Sequence, residues 1–319
     1  MFGVTPVISV FGVVGNIFSI IVLIKQGMRK CSNILLVSLA FSDITFLIAF
    51  NSVPKIIYEA VWNHEYVGYS LTDTRVLFTA FNVFTILDYS FGLMGLTLPM
   101  LITIERLVVI FLPLHFHRVV TPGRTWLAVV TLGVYGLSIF VYSSFWLELN
   151  YDLDPAKNTS VGIIQRSVFF YENSNASAFL EDFLIYSSMI IPPLFTALGC
   201  LIISVKIKVT SIMRKKMTSK RSSCSRTTRT LLAVCFIYTV SSTILSLPLY
   251  IPEQVSYSLT EENPSSSGKI FYQLINTAVC INSSSNFVVY VVLNKNFRET
   301  YKRLFRNCCR AVDKPGTFV

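Results

Sequence analysis

The sequence predicts an all-α membrane protein: seven spanning helices in a bundle, with a short amphipathic helix after the seventh. Three observations carry this. The apolar residues fall in long runs rather than at helical spacing. The cations are segregated into alternate loops. The few polar residues inside the runs sit at compatible depths. Over half of the 319 residues are apolar and only 14% are charged, against roughly 25% in a soluble domain.

The runs are taken in order. Span one covers about 6–25 and has no charged residue between Pro6 and Leu23. Span two covers 33–58 and is broken by Asp43. Span three covers 74–111, holds Asp88 and ends at Glu105 and Arg106. Spans four to seven cover 124–147, 182–207, 228–251 and 269–293. A hydrocarbon core needs about 20 apolar residues of helix, and open strands would leave backbone groups unsatisfied in lipid. Residues 294–309 follow as an interfacial helix: Phe297, Tyr301, Leu304 and Phe305 share one face, and Arg298, Lys302, Arg303 and Arg306 cover the rest. Residues 310–319 form a cytoplasmic tail. The first span begins so early that it is expected to act as its own insertion signal, without a cleaved signal peptide.

Loop charge gives the direction. Of 27 Lys and Arg, 22 fall on one side: Lys25, Arg29, Lys30, Arg106, Arg118, Arg124, nine from Lys206 to Arg229 and seven from Lys295 to Lys314. Only Lys55, Arg75, Lys157, Arg166 and Lys269 fall on the other. The positive-inside rule places the first side in the cytoplasm and the N-terminus outside, in the plasma membrane. The glycosylation acceptors Asn158 and Asn175 lie in the outer loop between spans four and five, which agrees. Asn282 also fits that pattern but lies within span seven, where it stays unmodified. The net charge of +10 therefore reflects contact with anionic lipid, and no nucleic-acid partner is expected. No cysteine falls in an outer loop, so no external disulfide is available. Cys308 and Cys309, beside the interfacial helix, are expected palmitoylation sites.

Polar groups inside a bilayer are rarely idle. Asn16, Asp43, Asn282 and Asn286 are expected to share a network around Asp43. That network acts either as packing glue or as a water-filled switch with a sodium ion beside Asp43; no other cofactor is expected. Asp88 and Arg106 are 18 residues apart, about five turns and ~27 Å along one face of a helix. Asp88 is expected either to touch a ligand or to pair with a nearby Asn or Arg75. Residues 161–171 are rich in β-formers and predict a hairpin over the outer end.

These residues together resemble the rhodopsin-like G-protein-coupled receptors over essentially the whole chain. The resemblance rests on Gly15-Asn16, Leu39-Ala40 with Asp43, Glu105-Arg106-Leu107, Pro113-Leu114, Pro192-Pro193, Pro248 and Asn286-Phe-Val-Val-Tyr290. Span seven and the segment after it are similar to invertebrate FMRFamide-type peptide receptors and molluscan chemosensory-type receptors. The resemblance implies a receptor, not an enzyme. Its extracellular ligand binds between helices three, five, six and seven, where Asp88, Ser187, Ser188, Tyr250 and Asn276 are the assigned contacts. A heterotrimeric G protein enters at the inner end as helix six swings outward. Arg106, paired with Glu105 at rest, is the implied latch. Leu114 is the implied G-protein contact, and Tyr290 moves inward. Pro248 and the Asn16, Asp43, Asn282 and Asn286 group complete the switch. The sequence departs from the family pattern at Leu107, at Phe287, at Phe81 near the usual helix-three cysteine, and at the missing tryptophan before Pro248. The acidic outer surface favours a basic or amidated neuropeptide. An environmental chemical and a biogenic amine are alternatives within the family, and a membrane transporter is the alternative outside it. Asp43 and Asp88 are the only fully intramembrane acids, and no internal repeat is visible; both weigh against a transporter.

Overall fold

The structure is a computed structural model that describes residues 4–56, 71–154, 159–217, 224–246 and 266–312. Helix α1 spans Val4–Lys25. It stops where Gly27 adopts φ 99°, a left-handed conformation that a side chain would strain. The Asn33 amide donates to the Gly27 carbonyl at 2.8 Å and ties the turn to α2, Cys31–Phe50.

Span two was expected to run to residue 58, but α2 ends at Phe50. Asn51 leaves the helical region and its amide bonds back to the Leu47 carbonyl at 3.1 Å. Pro54 then supplies no N–H, and a single helical turn resumes at 53–56. Helix α3 is Leu71–Phe111. It tolerates Pro99 inside it, and the Thr103 hydroxyl donates back to the Pro99 carbonyl at 2.8 Å.

Helix α4 is Pro122–Ser144, capped by the Thr121 hydroxyl, with proline in its first turn. It ends short of residue 147 because the chain turns at Phe145-Trp146 into strand β1, Leu147–Asp154. Strand β2, Thr159–Arg166, pairs antiparallel with β1, from Leu147 opposite Arg166 to Asp154 opposite Thr159. The expected hairpin is present but lies earlier than 161–171. Ser167 caps a short helix, Val168–Glu172, and ends the strand.

A helix over Ser174–Leu184 leads through a π-helical turn, Ile185–Ile190, into α5, Ile191–Met217. Pro192 and Pro193 cannot donate to the preceding turn, which widens instead. Helix α6 is Cys224–Leu245, α7 is Ser266–Leu293 and α8 is Lys295–Val312. The Asn294 side chain caps α8 by accepting from the Phe297 N–H at 3.2 Å.

The helices close a ring. α1 packs on α2 and α7, α3 on α2, α4 and α5, and α6 on α5 and α7, while α3 also touches α6. The core joins them through Val22, Leu35, Leu39, Leu98, Ile102, Val129, Val234, Val289 and Tyr290. Close approach of α1 to α7 depends on Gly12 and Gly15, where a methyl group would strike Ser284 and Phe287. Apolar side chains such as Phe11, Leu127, Val134, Leu201, Phe236 and Val292 face outward instead, a belt suited to lipid. Among the described residues, six helices are long and apolar enough to cross a membrane, and α6 contributes the shorter apolar stretch Ala233–Leu245. The bundle has a hairpin end, carrying β1 and β2, and a basic end, carrying α8.

Candidate functional site

The middle of the bundle holds Asp43, fully buried on α2. The Asn286 amide of α7 donates to its carboxylate at 2.7 Å, and Ser283, one turn before Asn286 on α7, is buried as well. Asn16 was expected to join Asp43 directly. It bonds instead to the Ser283 backbone carbonyl at 2.8 Å, because α1 meets α7 before it reaches α2 at this level. Asn282 is half-buried, and its backbone carbonyl accepts from the Ser285 hydroxyl at 3.0 Å. The shared network is therefore narrower than expected. The Asn16 side-chain oxygen is buried without a hydrogen-bond partner. The oxygens of Asp43, Ser283 and Asn16 are the hard donors that a sodium ion takes. Tyr290 is buried against Phe297, ring centroids 5.5 Å apart, and its hydroxyl has no partner in the structure.

At the hairpin end, Asp88 on α3 forms an ion pair with Lys55, which follows α2. The Lys55 ammonium also lies over the Phe50 and Tyr89 rings, 5.3 and 5.4 Å from their centroids. The expected partner of Asp88 was an Asn or Arg75; the break in α2 at Asn51 brings Lys55 there instead. Nearby, the Asn51 amide donates to the Ser9 hydroxyl at 2.7 Å, and Ser9 donates to the Cys280 sulfur at 3.8 Å.

Of the residues expected to line a ligand cavity, Asp88 and Asn276 both adjoin Lys55. Asn276 opens onto a small cleft with Thr5, Asn51, Lys55 and Gln273, between α1, α2 and α7. Ser188 donates to the Leu184 carbonyl of its own helix at 2.5 Å, since the π turn points it inward along the backbone. The Ser187 hydroxyl is buried with no partner. Tyr250 and Pro248 lie outside the described residues, as does Asn158. Asn175 is exposed at the hairpin end. Cys308 and Cys309 fall on α8, with side chains outside the described set.

At the basic end, Arg106 Nε lies 3.3 Å from Glu105 Oε2. Ser32, at the start of α2, bridges the pair: its hydroxyl donates to Glu105 Oε1 at 2.8 Å and accepts from Arg106 at 2.7 Å. Ser32 and Lys55 were not singled out in the sequence. A serine in a first helical turn carries no signal of its own, whereas Lys55, one of only five cations on the hairpin side of the chain, does. Leu114 stands 92% exposed between α3 and α4.

Residues 3–308 match the family model described as serpentine type 7TM GPCR chemoreceptor Srw. The chain belongs to the Srw family of G-protein-coupled receptors. This bears out the resemblance read from Asp43, Glu105-Arg106 and Asn286–Tyr290, and the seven-helix fold with it. The Srw chain is a multi-pass membrane receptor rather than an enzyme. It is 24% identical over 316 residues to a FMRFamide receptor of Drosophila melanogaster, covering 97% of this chain and 54% of that one. It is 21% identical over 311 residues to a probable G-protein coupled receptor of Caenorhabditis elegans, covering 95% of this chain and 68% of that one. The Srw chain thus spans about half the length of the first of these relatives.

Proposed function

We propose that this receptor sits in the plasma membrane with its hairpin end outside, binds a peptide there and activates a heterotrimeric G protein at its basic end. The observation that carries the reading is the Ser32–Glu105–Arg106 cluster, which ties α3 to α2 at the end where the cations gather. A cation held by an adjacent carboxylate and a neighbouring helix is a resting latch. Release of Arg106 frees it for a partner entering beside the exposed Leu114. The ligand must bind the released arrangement better than the latched one, or it shifts nothing. Asp43 and Asn286 couple α2 to α7 midway between the two ends, and a sodium ion held by Asp43, Ser283 and Asn16 would supply charge neutralisation favouring the resting state.

A peptide is supported by the acids exposed at the hairpin end, Glu172, Glu181 and Asp182, and by the likeness to a receptor named for FMRFamide. An environmental chemical is the second reading, favoured by the chemoreceptor description of the family. An amine would have to displace Lys55 from Asp88, which disfavours that reading. Glycans at Asn158 and Asn175 and acyl chains at Cys308 and Cys309 belong to the same reading.

The test is expression with promiscuous G proteins and exposure to amidated peptide fractions and to odorant libraries. A peptide response that Arg106→Ala reduces more than tenfold, at equal surface expression, supports the proposal. An undiminished response removes the latch. Solute movement by the purified protein in vesicles would replace the receptor reading with a transporter.

A further inference from the structure

One hydroxyl joins α2 to the Glu105–Arg106 pair. Ser32, the second residue of α2, donates to Glu105 Oε1 at 2.8 Å and accepts from Arg106 at 2.7 Å. Beside it, Arg106 Nε and Glu105 Oε2 are buried and make no hydrogen bond. No side chain caps α2, and its first turn holds no acid. A phosphate on Ser32 would therefore meet a guanidinium N–H that lacks a hydrogen bond and an uncapped helix start, both of which favour an anion. The chain ahead of Ser32 adds to this. Arg29 and Lys30 stand three and two residues before it, both exposed, in the turn that follows Gly27. Kinases choose substrates by charge patterns of this kind, and two cations there fit an acidic substrate groove. The pattern recurs at Lys215-Lys216-Met217-Thr218 and at Lys220-Arg221-Ser222-Ser223; Ser32 is set against the latch arginine.

We propose that Ser32 is phosphorylated by a protein kinase with an acidic substrate groove, and that its phosphate takes Arg106 from Glu105. The Ser32 oxygen attacks the γ-phosphorus of magnesium-bound ATP. The bond from that phosphorus to the bridging β–γ oxygen breaks, ADP leaves, and the hydroxyl proton passes to the kinase's catalytic base. The first turn of a helix opens at little cost, which presents the half-buried hydroxyl to the kinase. At rest that hydroxyl is engaged by both Glu105 and Arg106, so the released receptor is the better substrate. Phosphoserine carries about −1.5 to −2 charge and three acceptor oxygens. It outcompetes a single carboxylate for the guanidinium and repels Glu105. Arg106 is then held to α2 and withheld from a partner at the basic end. This consequence rests on the orientation and the G-protein reading above.

The full-length receptor in lipid nanodiscs is incubated with magnesium ATP and the catalytic subunit of cyclic AMP-dependent protein kinase, and its phosphopeptides are mapped by mass spectrometry. Phosphate on Ser32, reduced at least tenfold by Arg29→Gln/Lys30→Gln, is the expected result. Phosphate at Thr218 or Ser223 without Ser32, or none at all, overturns the site. The capture is read on a Thr218→Ala/Ser223→Ala background by thermal unfolding. Phosphorylation is expected to lower the melting temperature of Arg106→Gln by several degrees more than that of the background itself, because the phosphate there faces Glu105 without the arginine. Equal shifts overturn the capture. Nucleotide exchange on a purified G protein is measured on the same background. Phosphorylation is expected to lower exchange severalfold and to leave Ser32→Ala without any kinase-dependent change. Exchange unaffected by phosphate on Ser32, where the untreated receptor raises exchange above empty nanodiscs, overturns the withholding of Arg106. No exchange above empty nanodiscs in the untreated receptor counts against the G-protein reading instead, and the phosphopeptide map and the melting shifts still decide the site and the capture.

Discussion

Lys55 and Asp88 neutralise one another where neither has ready access to water: their side chains are 14% and 6% exposed. Removing one partner leaves the other as an uncompensated buried charge, whereas replacing both with apolar groups is close to neutral. Lys55→Met is therefore expected to destabilise the receptor by about 3–5 kcal/mol, and Lys55→Met/Asp88→Leu to recover most of that loss. Thermal unfolding in detergent measures both, and a double variant as unstable as the single one refutes the pairing. Asp88 was legible in the sequence as a buried acid that needs a partner. Lys55 was not, because its position depends on where α2 stops, and Asn51 and Pro54 set that locally. Asp43 and Asn286 were legible for the opposite reason. Both lie inside continuous spans, so their depths follow directly from counting residues.

Helix α8 and the hairpin are held by rings. Phe297 is buried against Tyr290 and Phe287. Phe297→Ala is expected to cost about 3–5 kcal/mol and to lower surface expression in proportion; an unchanged melting temperature rejects it. At the hairpin base, Trp146 is buried between Tyr142 and Phe170, and the Arg166 guanidinium lies 4.3 Å from the Phe170 ring centroid. The Ser167 hydroxyl bonds to the Phe145 carbonyl at 2.6 Å. Trp146→Ala is expected to raise hydrogen exchange across Leu147–Arg166 at least tenfold and to leave α2 and α3 protected. Equal rates in variant and wild type would show that the rings do not hold the strands. Elements of this kind were only partly readable. β-formers announced a hairpin, but its position is set by the Ser167 cap and by the edge-on contacts of Phe169 with Tyr142 and Phe170 with Trp146. Pro192 and Pro193 were read only as part of the family resemblance, and the π turn before them was not anticipated.

The whole molecule has two unlike ends, and the proposed orientation puts the hairpin end outside and the basic end in the cytoplasm. With the hairpin end in the secretory lumen, glycosidase treatment is expected to shift the wild-type band. Asn158→Gln/Asn175→Gln is expected to abolish the shift, while Asn282→Gln leaves it intact. A glycan on Asn282, or a shift that survives in the double variant, inverts or disrupts the proposed orientation. The apolar runs made the seven-span plan the most legible feature of the sequence, because bilayer thickness sets a length that composition alone can meet. The hairpin has a practical consequence. Residues 145–182 contain no cysteine, so the hairpin base is held by rings packed edge to face and an arginine instead of a covalent bridge. Its maturation then requires no oxidising folding machinery, and cell-free synthesis under reducing conditions is a suitable route to the intact receptor. The same independence means that thiol reagents leave the fastening of the hairpin itself untouched.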